Sequence, residues 1–246
     1  MDHGSRFKPS PCSLAAVLCL FAALSARADS QSTILGNLLI FYTEGSSGRI
    51  LNVVPMEDRA PLKIIGRAPI ALHKAIHAQF PFGNQIILLL WDQVEVYSLA
   101  EPSAPQRVAS YRLRSQHAAK SGDPRIERTD HRRFLIISPV GAAELSVDPE
   151  GKRWTLVDTE MTPELQEKAQ TSSPVAESAR LALVCDRDTG RPRLLKESAR
   201  FRYETVWARR TKPGLIIHTE YLRKVDKASG KTAAQLLLGG EQETID

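Results

Sequence analysis

The chain has 246 residues, 42% of them hydrophobic and 25% charged, with a formal net charge of +5. Of its three cysteines, Cys12 and Cys19 lie close to the N-terminus, so Cys185 alone remains for the rest of the chain, which excludes an internal disulfide framework there. No stretch after the first thirty residues is long and apolar enough to span a bilayer, and a charge of this size is no signature of nucleic-acid binding.

Residues 1–28 have the layout of a secretory signal peptide. Arg6 and Lys8 form a basic start, residues 14–24 an apolar run, and Ala26-Arg27-Ala28 a small-x-small cleavage site. The run is short of the ~20 residues that cross a bilayer, which favours cleavage after Ala28 over an uncleaved anchor. Bulky Leu18 before Cys19 disfavours a lipoprotein start. Loss of Arg6, Lys8, Arg27 and Asp2 lowers the net charge to +3 and leaves residues 29–246 as one domain with a sizeable core. Arginine outnumbers lysine two to one, and none of the three asparagines sits in an Asn-x-Ser/Thr site. That bias suits a GC-rich bacterial genome, so the expected address is the periplasm or the extracellular medium.

From Leu38 onward, short apolar and β-branched runs are bounded by Gly, Pro, Asp and Ser clusters, the pattern of strands and hairpins. Leu38–Tyr42, Ile86–Leu90 and Phe134–Ile137 begin forty-eight residues apart, and a strand–turn–strand unit recurring at that length marks a repeated β-architecture. In the first unit Ile50–Val54 runs into a turn that ends at Pro61, followed by Lys63–Gly66. In the second, Val94–Ser98 runs into a turn ending at Pro105, followed by Arg107–Ser110. Each proline fixes φ and withholds an N–H where one strand has ended and the next has not begun. Between these units, His73 and His77 form an i, i+4 pair, but Pro69, Ile70, Ile76 and Phe80 around them favour a strand. Strand residues four apart lie ~13 Å from each other, too far for one ion, so no metal is expected.

Residues 115–133, polar and centred on Ser121-Gly122-Asp123-Pro124, read as an exposed loop, with Arg125, Arg128, Arg132 and Arg133 offset by Asp123, Glu127 and Asp130 into a solvated mixed-charge surface. Three later turns combine Asp with Gly: Asp148–Gly151, Asp186–Gly190 and Asp226–Gly230. In such turns Asp accepts from backbone N–H groups and Gly takes the φ > 0 position that closes the hairpin. Residues 162–169 carry Thr-Pro-Glu, a capped short helix, and 171–174 a linker. Cys185, ending the apolar run Leu181–Val184, is expected to be buried. The whole reads as an all-β chain of about five antiparallel hairpin or blade units, a propeller or part of one, each spacing holding four short strands.

The first two units, Ile50–Gly66 and Val94–Ser110, resemble propeller repeats of the LVIVD type, in which an apolar strand enters a Pro-flanked turn and leaves through an aliphatic pair ending in Gly. The later units resemble quinoprotein-type blades, which close with Asp-x-x-Thr-Gly and then Trp. Asp148, Gly151 and Trp154 match that pattern, whereas the Asp186 and Asp226 turns lack the Trp. Both resemblances imply an architecture that serves chiefly as a scaffold.

No Gly-x-Ser-x-Gly elbow and no phosphate-cradling loop ending in Lys occurs, and His117, His131 and His218 are scattered. Trp91, Trp154 and Trp207 do not supply the docking stack of a quinone-binding ring, so no cofactor is expected. Arg200, Arg202, Arg209, Arg210 and Lys212, interleaved with Phe201, Tyr203 and Trp207, form the candidate binding surface, suited to a glycan or acidic partner. The competing reading of that segment is an edge strand protected by charge. The expectation is an exported, non-catalytic scaffold that binds a protein or an envelope component, neither a nucleic-acid binder nor membrane-spanning. An exported enzyme of quinoprotein or hydrolase type is the alternative, and a half-ring completed by homodimerisation the second.

Overall fold

Apolar runs without alternation are the first thing the fold explains. In a computed structural model that describes residues 32–45, 48–70, 76–113, 125–138, 141–160, 162–163, 192–213 and 215–244, every element is a strand. Strand β6 (Gln85–Leu90) is buried at all six positions. Ile86, Leu88 and Leu90 pack with Ile40, Leu51 and Val53 on one side, while Ile87 and Leu89 pack with Phe134, Ile136 and Leu145 on the other. A strand sandwiched between two neighbouring sheets must be apolar on both faces. Full burial of each such side chain contributes about 1.5–3 kcal/mol.

The strands form four antiparallel sheets, each a meander of four. The first holds β1 (Ser32–Leu35), β2 (Leu38–Gly45), β3 (Gly48–Pro55) and β4 (Gly66–Pro69). The second holds β5 (Ile76–Phe82), β6, β7 (Gln93–Ser98) and β8 (Gln106–Arg112). The third holds β9 (Arg125–Asp130), β10 (Arg133–Ser138), β11 (Gly141–Val147) and β12 (Trp154–Thr159). The fourth holds β13 (Arg193–Glu197), β14 (Phe201–Lys212), β15 (Leu215–Asp226) and β16 (Thr232–Thr244).

One backbone hydrogen bond marks the module. The N–H groups of Met56, Leu99, Val147 and Lys227 donate to the carbonyls of Asn37, Asn84, Arg132 and Arg200, tying the third turn of each sheet to its first. The acceptors are 47, 48 and 68 residues apart, so the forty-eight-residue recurrence read from the sequence is the second strand of successive sheets. First strands pack together, β1 on β5 and β5 on β9, and the fourth sheet joins the first through β16 and β2. Leu39 and Phe41 of β2 face Phe201, Tyr203 and Leu222 of the fourth sheet, while Ile40 faces the second. The order is therefore fourth, first, second, third, a propeller-type arc that the described sheets do not close.

Two sequence readings need correction. Lys63–Ile65 is not a strand but the end of the loop that feeds β4. Residues 125–133 are not loop but β9 and the turn into β10, because Arg125 is buried by pairing with Glu127 at 3.0 Å and Ile126 enters the core. The described sheets number four; the Asp186–Gly190 hairpin, the helix expected at 162–169 (apart from Thr162 and Pro163) and Cys185 lie outside the described residues. The Asp148 and Asp226 turns form as their chemistry predicts. Gly151 and Gly230 take φ of 73° and 67°, and each aspartate accepts from backbone N–H groups of its own turn.

Candidate functional site

Strand alternation decides where the β14 residues go. Phe201, Tyr203, Thr205 and Trp207 share the face that packs inward, and all are buried. Trp207 keeps 8% of its surface and lies edge-on to His218, with ring centroids 6.4 Å apart. Arg202 sits on the opposite face, where its Nε is 3.2 Å from the buried Glu204 carboxylate; Arg223, across in β15, donates to the same carboxylate at 2.7 Å. Arg200 precedes the strand, stacks on Phe201 and donates to Asp226 at 3.2 Å. Arg209 and Arg210 are exposed on the distal half of β14 and form no ion pair among the described residues. The residues read as one surface thus occupy separate places: Arg200 and Arg202 are held in ion pairs, Trp207 is buried, and Arg209 and Arg210 are exposed at consecutive, oppositely facing positions of the strand.

The arc has two rims with different duties. At one rim lie the first and third turns of every sheet, and they are stitched from sheet to sheet. Gly66 of β4 passes so close to the turn of the next sheet that a Cβ there would meet the Pro102 carbonyl oxygen at 2.0 Å. Trp154 Nε1 donates to Gln85 Oε1 at 2.8 Å, and Gln85 Nε2 donates to the Gly151 carbonyl at 2.8 Å, binding the third sheet to the second. Lys224 Nζ donates to the carbonyls of Glu57, Asp58 and Ala60 while lying 4.5 Å from the Phe201 ring centroid. Burial pulls this ammonium below the ordinary lysine range, Asp58 opposes that, and Arg200 adds to it.

The other rim carries the β6–β7 turn and the ends of the second and third strands of each described sheet. Trp91 occupies the β6–β7 turn, where it is 48% exposed while Trp154 and Trp207 are buried. The His77 ring flanks it, centroids 5.4 Å apart and tilted by 55°. Burial, then the charge of Arg49, lowers the His77 pKa from its ordinary 6.5. Asp92 next door pairs with Arg112 at 3.4 Å. An exposed indole flanked by an imidazole and by charged groups has the composition that contact surfaces favour. The sequence signal for Trp91 was its place: Trp91-Asp92 separates two buried strands, and an indole in a two-residue turn has no core to enter. His73, its partner in the i, i+4 pair, lies outside the described residues.

A further chemistry-bearing group, Glu95, is wholly buried and engaged by three donors. Its oxygens accept from Gln93 at 2.8 Å, Arg107 at 2.9 Å and Tyr97 at 2.7 Å. The Tyr97 hydroxyl also lies 2.7 Å from the Pro69 carbonyl of the first sheet; burial, then Glu95, holds its pKa far above the usual tyrosine range. Among the described residues no three of His, Cys, Asp and Glu converge on a metal-sized space, and no helix is long and apolar enough to cross a membrane.

No protein-family model matches the chain, and no curated protein matches it. Among solved structures it resembles Hsv2 of Kluyvelomyces marxianus at 12% identity and a TM-score of 0.36, over 50% of this chain and 42% of that one. It resembles a functionally unknown protein from Desulfotomaculum acetoxidans DSM 771 at 10% identity and a TM-score of 0.37, over 86% and 69%. A third likeness, to the WD40 domain of SCAP from fission yeast, has 11% identity and a TM-score of 0.33, over 85% and 52%. The chain spans less than half the length of the Hsv2 it matches. At these distances the propeller-type assignment rests on strand order and inter-sheet packing, and no activity is carried across.

Proposed function

We propose that the chain is an exported, non-catalytic β-repeat scaffold that binds a protein or another envelope component through the rim bearing the β6–β7 turn. The leader read in residues 1–28 supports export to the periplasm or beyond. The blade types we propose are LVIVD-like for the first two sheets and quinoprotein-like for the third, where Trp154, following Gly151, docks on the preceding sheet through Gln85.

The observation that carries the reading is Trp91, the one tryptophan of the three held out in solvent. Tryptophan and arginine dominate the energetics of protein contacts, and truncating a central anchor costs about 2 kcal/mol or more. Arg209 and Arg210, exposed on the overhanging end of β14, supply positive charge at the same rim. Immobilised protein incubated with envelope extract tests this. Trp91→Ala, and separately Arg209→Ala with Arg210→Ala, should reduce recovery of a wild-type partner about tenfold or more. Unchanged recovery of every partner by all variants would remove the rim from consideration.

A further inference from the structure

We infer that the short turn of the third sheet is a recognition site for a carboxylate group. The first two sheets make this turn with Gly36-Asn37 and Gly83-Asn84, each glycine at a φ of 58°. The third sheet puts His131-Arg132 there and builds the turn from side chains instead. Asp130 accepts from the His131 backbone N–H and pairs with its Nδ1 at 2.8 Å. Arg128 donates to the carbonyls of both Asp130 and His131, each at 3.1 Å, with its guanidinium over the Phe82 ring at 5.8 Å. This bracing leaves Arg132 and Arg133 beside a cleft of about 410 Å³ that Glu144 and Ser146 also line.

Arg133 and Ser146 are register partners on adjacent strands, so they share a face of the sheet. That face points away from the second sheet, since Phe134 and Leu145 occupy the packed side. The Arg132 side chain has no hydrogen bond or ion pair among the described residues, and Arg133 comes only within 3.7 Å of Glu144. Two guanidinium forks and a hydroxyl around an open cleft offer paired N–H donors to a planar oxyanion. Asp130 and Glu144 in the same lining oppose a phosphate, which gathers up to two charges on one group, so the cleft suits a carboxylate group, which carries one, whether on a free acid or on an acidic side chain of a partner. The site lies on the rim opposite Trp91 and does not depend on the partner proposed there.

The test is titration of the whole protein with succinate, with inorganic phosphate and with a blocked triglutamate peptide at matched ionic strength, following backbone amide shifts. Succinate should shift the amides of residues 130–133 saturably and at least about fivefold more tightly than phosphate; relative affinity of peptide and succinate separates a partner-borne carboxylate from a free one. Arg132→Gln with Arg133→Gln should weaken succinate at least about tenfold, and Glu144→Gln should strengthen it severalfold. All three positions are surface sites, and thermal melting checks that the variants fold. Absence of saturable succinate shifts, tighter phosphate binding, or equal affinity in the double arginine variant would overturn the assignment.

Discussion

Lys224 near the end of β15 and Asp58 in the loop between β3 and β4 are 166 residues apart in sequence, yet the lysine Nζ lies 2.8 Å from the Asp58 carbonyl oxygen. With the carbonyls of Glu57 and Ala60 as further acceptors and the rings of Phe201 and Tyr203 beneath it, the ammonium joins the last sheet to the first. Each proton of the ammonium has a carbonyl of its own, a geometry that a planar guanidinium does not reproduce.

Lys224→Met should therefore lower stability by about 1–3 kcal/mol, since three part-buried carbonyls lose a charged donor. Lys224→Arg should recover less than half of that. Chemical denaturation monitored by circular dichroism measures both, and a loss under about 0.5 kcal/mol for Lys224→Met would show that the joint contributes little.

Gly66→Ala should cost about 1–3 kcal/mol, because the added methyl would lie within bonding distance of the Pro102 carbonyl and one of the two sheets must shift. Gly239→Ala is the matched control: a Cβ there meets nothing within 4 Å, so the change should stay within about 0.5 kcal/mol. Equal melting temperatures for the two variants would contradict the close packing of consecutive turns.

The His77 shift has a sign that can be read in unfolding experiments. A folded pKa held below 6.5 means the unfolded chain binds more protons in that window, so stability rises with pH there. The contribution is fully present above 6.5 and is lost as pH falls toward the folded value. Urea midpoints at about pH 5 and about pH 7.5 should differ more in the wild type than in His77→Gln. An identical pH dependence in both proteins would remove His77 from the account.

The open arc bears on assembly. On the face of the fourth sheet turned away from the first, Leu194 and Leu237 are each more than half exposed. If a second copy covers this face, light scattering of the wild type should give twice the monomer mass, and Leu194→Ser with Leu237→Ser should halve it. A wild-type monomer at about 100 μM would discard dimerisation through this surface.

Much of the fold was legible because its cause is local. Continuous apolar runs at Leu38 and Ile86 mark strands covered on both faces, the run at Phe134 marks one whose Phe134 and Ile136 face is packed on the second sheet, and Asp148 and Asp226 close turns with their own carboxylates. β9 was hidden because its charges satisfy each other: Arg125 and Glu127 form an ion pair along the strand, so mixed polarity looked like solvent-exposed loop. The distribution of the β14 residues is hidden for a related reason. Composition gathered Arg200, Arg202, Trp207, Arg209 and Arg210, but the pleat sends Trp207 to the packed face and Asp226 and Glu204 engage the first two arginines. Glu204 stands two residues from Arg202 on the same strand, but local sequence does not announce Asp226, which comes to Arg200 from the far end of β15, 26 residues away.

The scaffold reading is tested most directly by site-specific cross-linking. A photo-reactive amino acid in place of Trp91, and in place of the still more exposed Val157 on the third sheet, should give different outcomes in intact cells. The account predicts a discrete cross-linked partner at position 91 and none at position 157. A discrete adduct at 157 with nothing at 91, or no adduct at either, would contradict it.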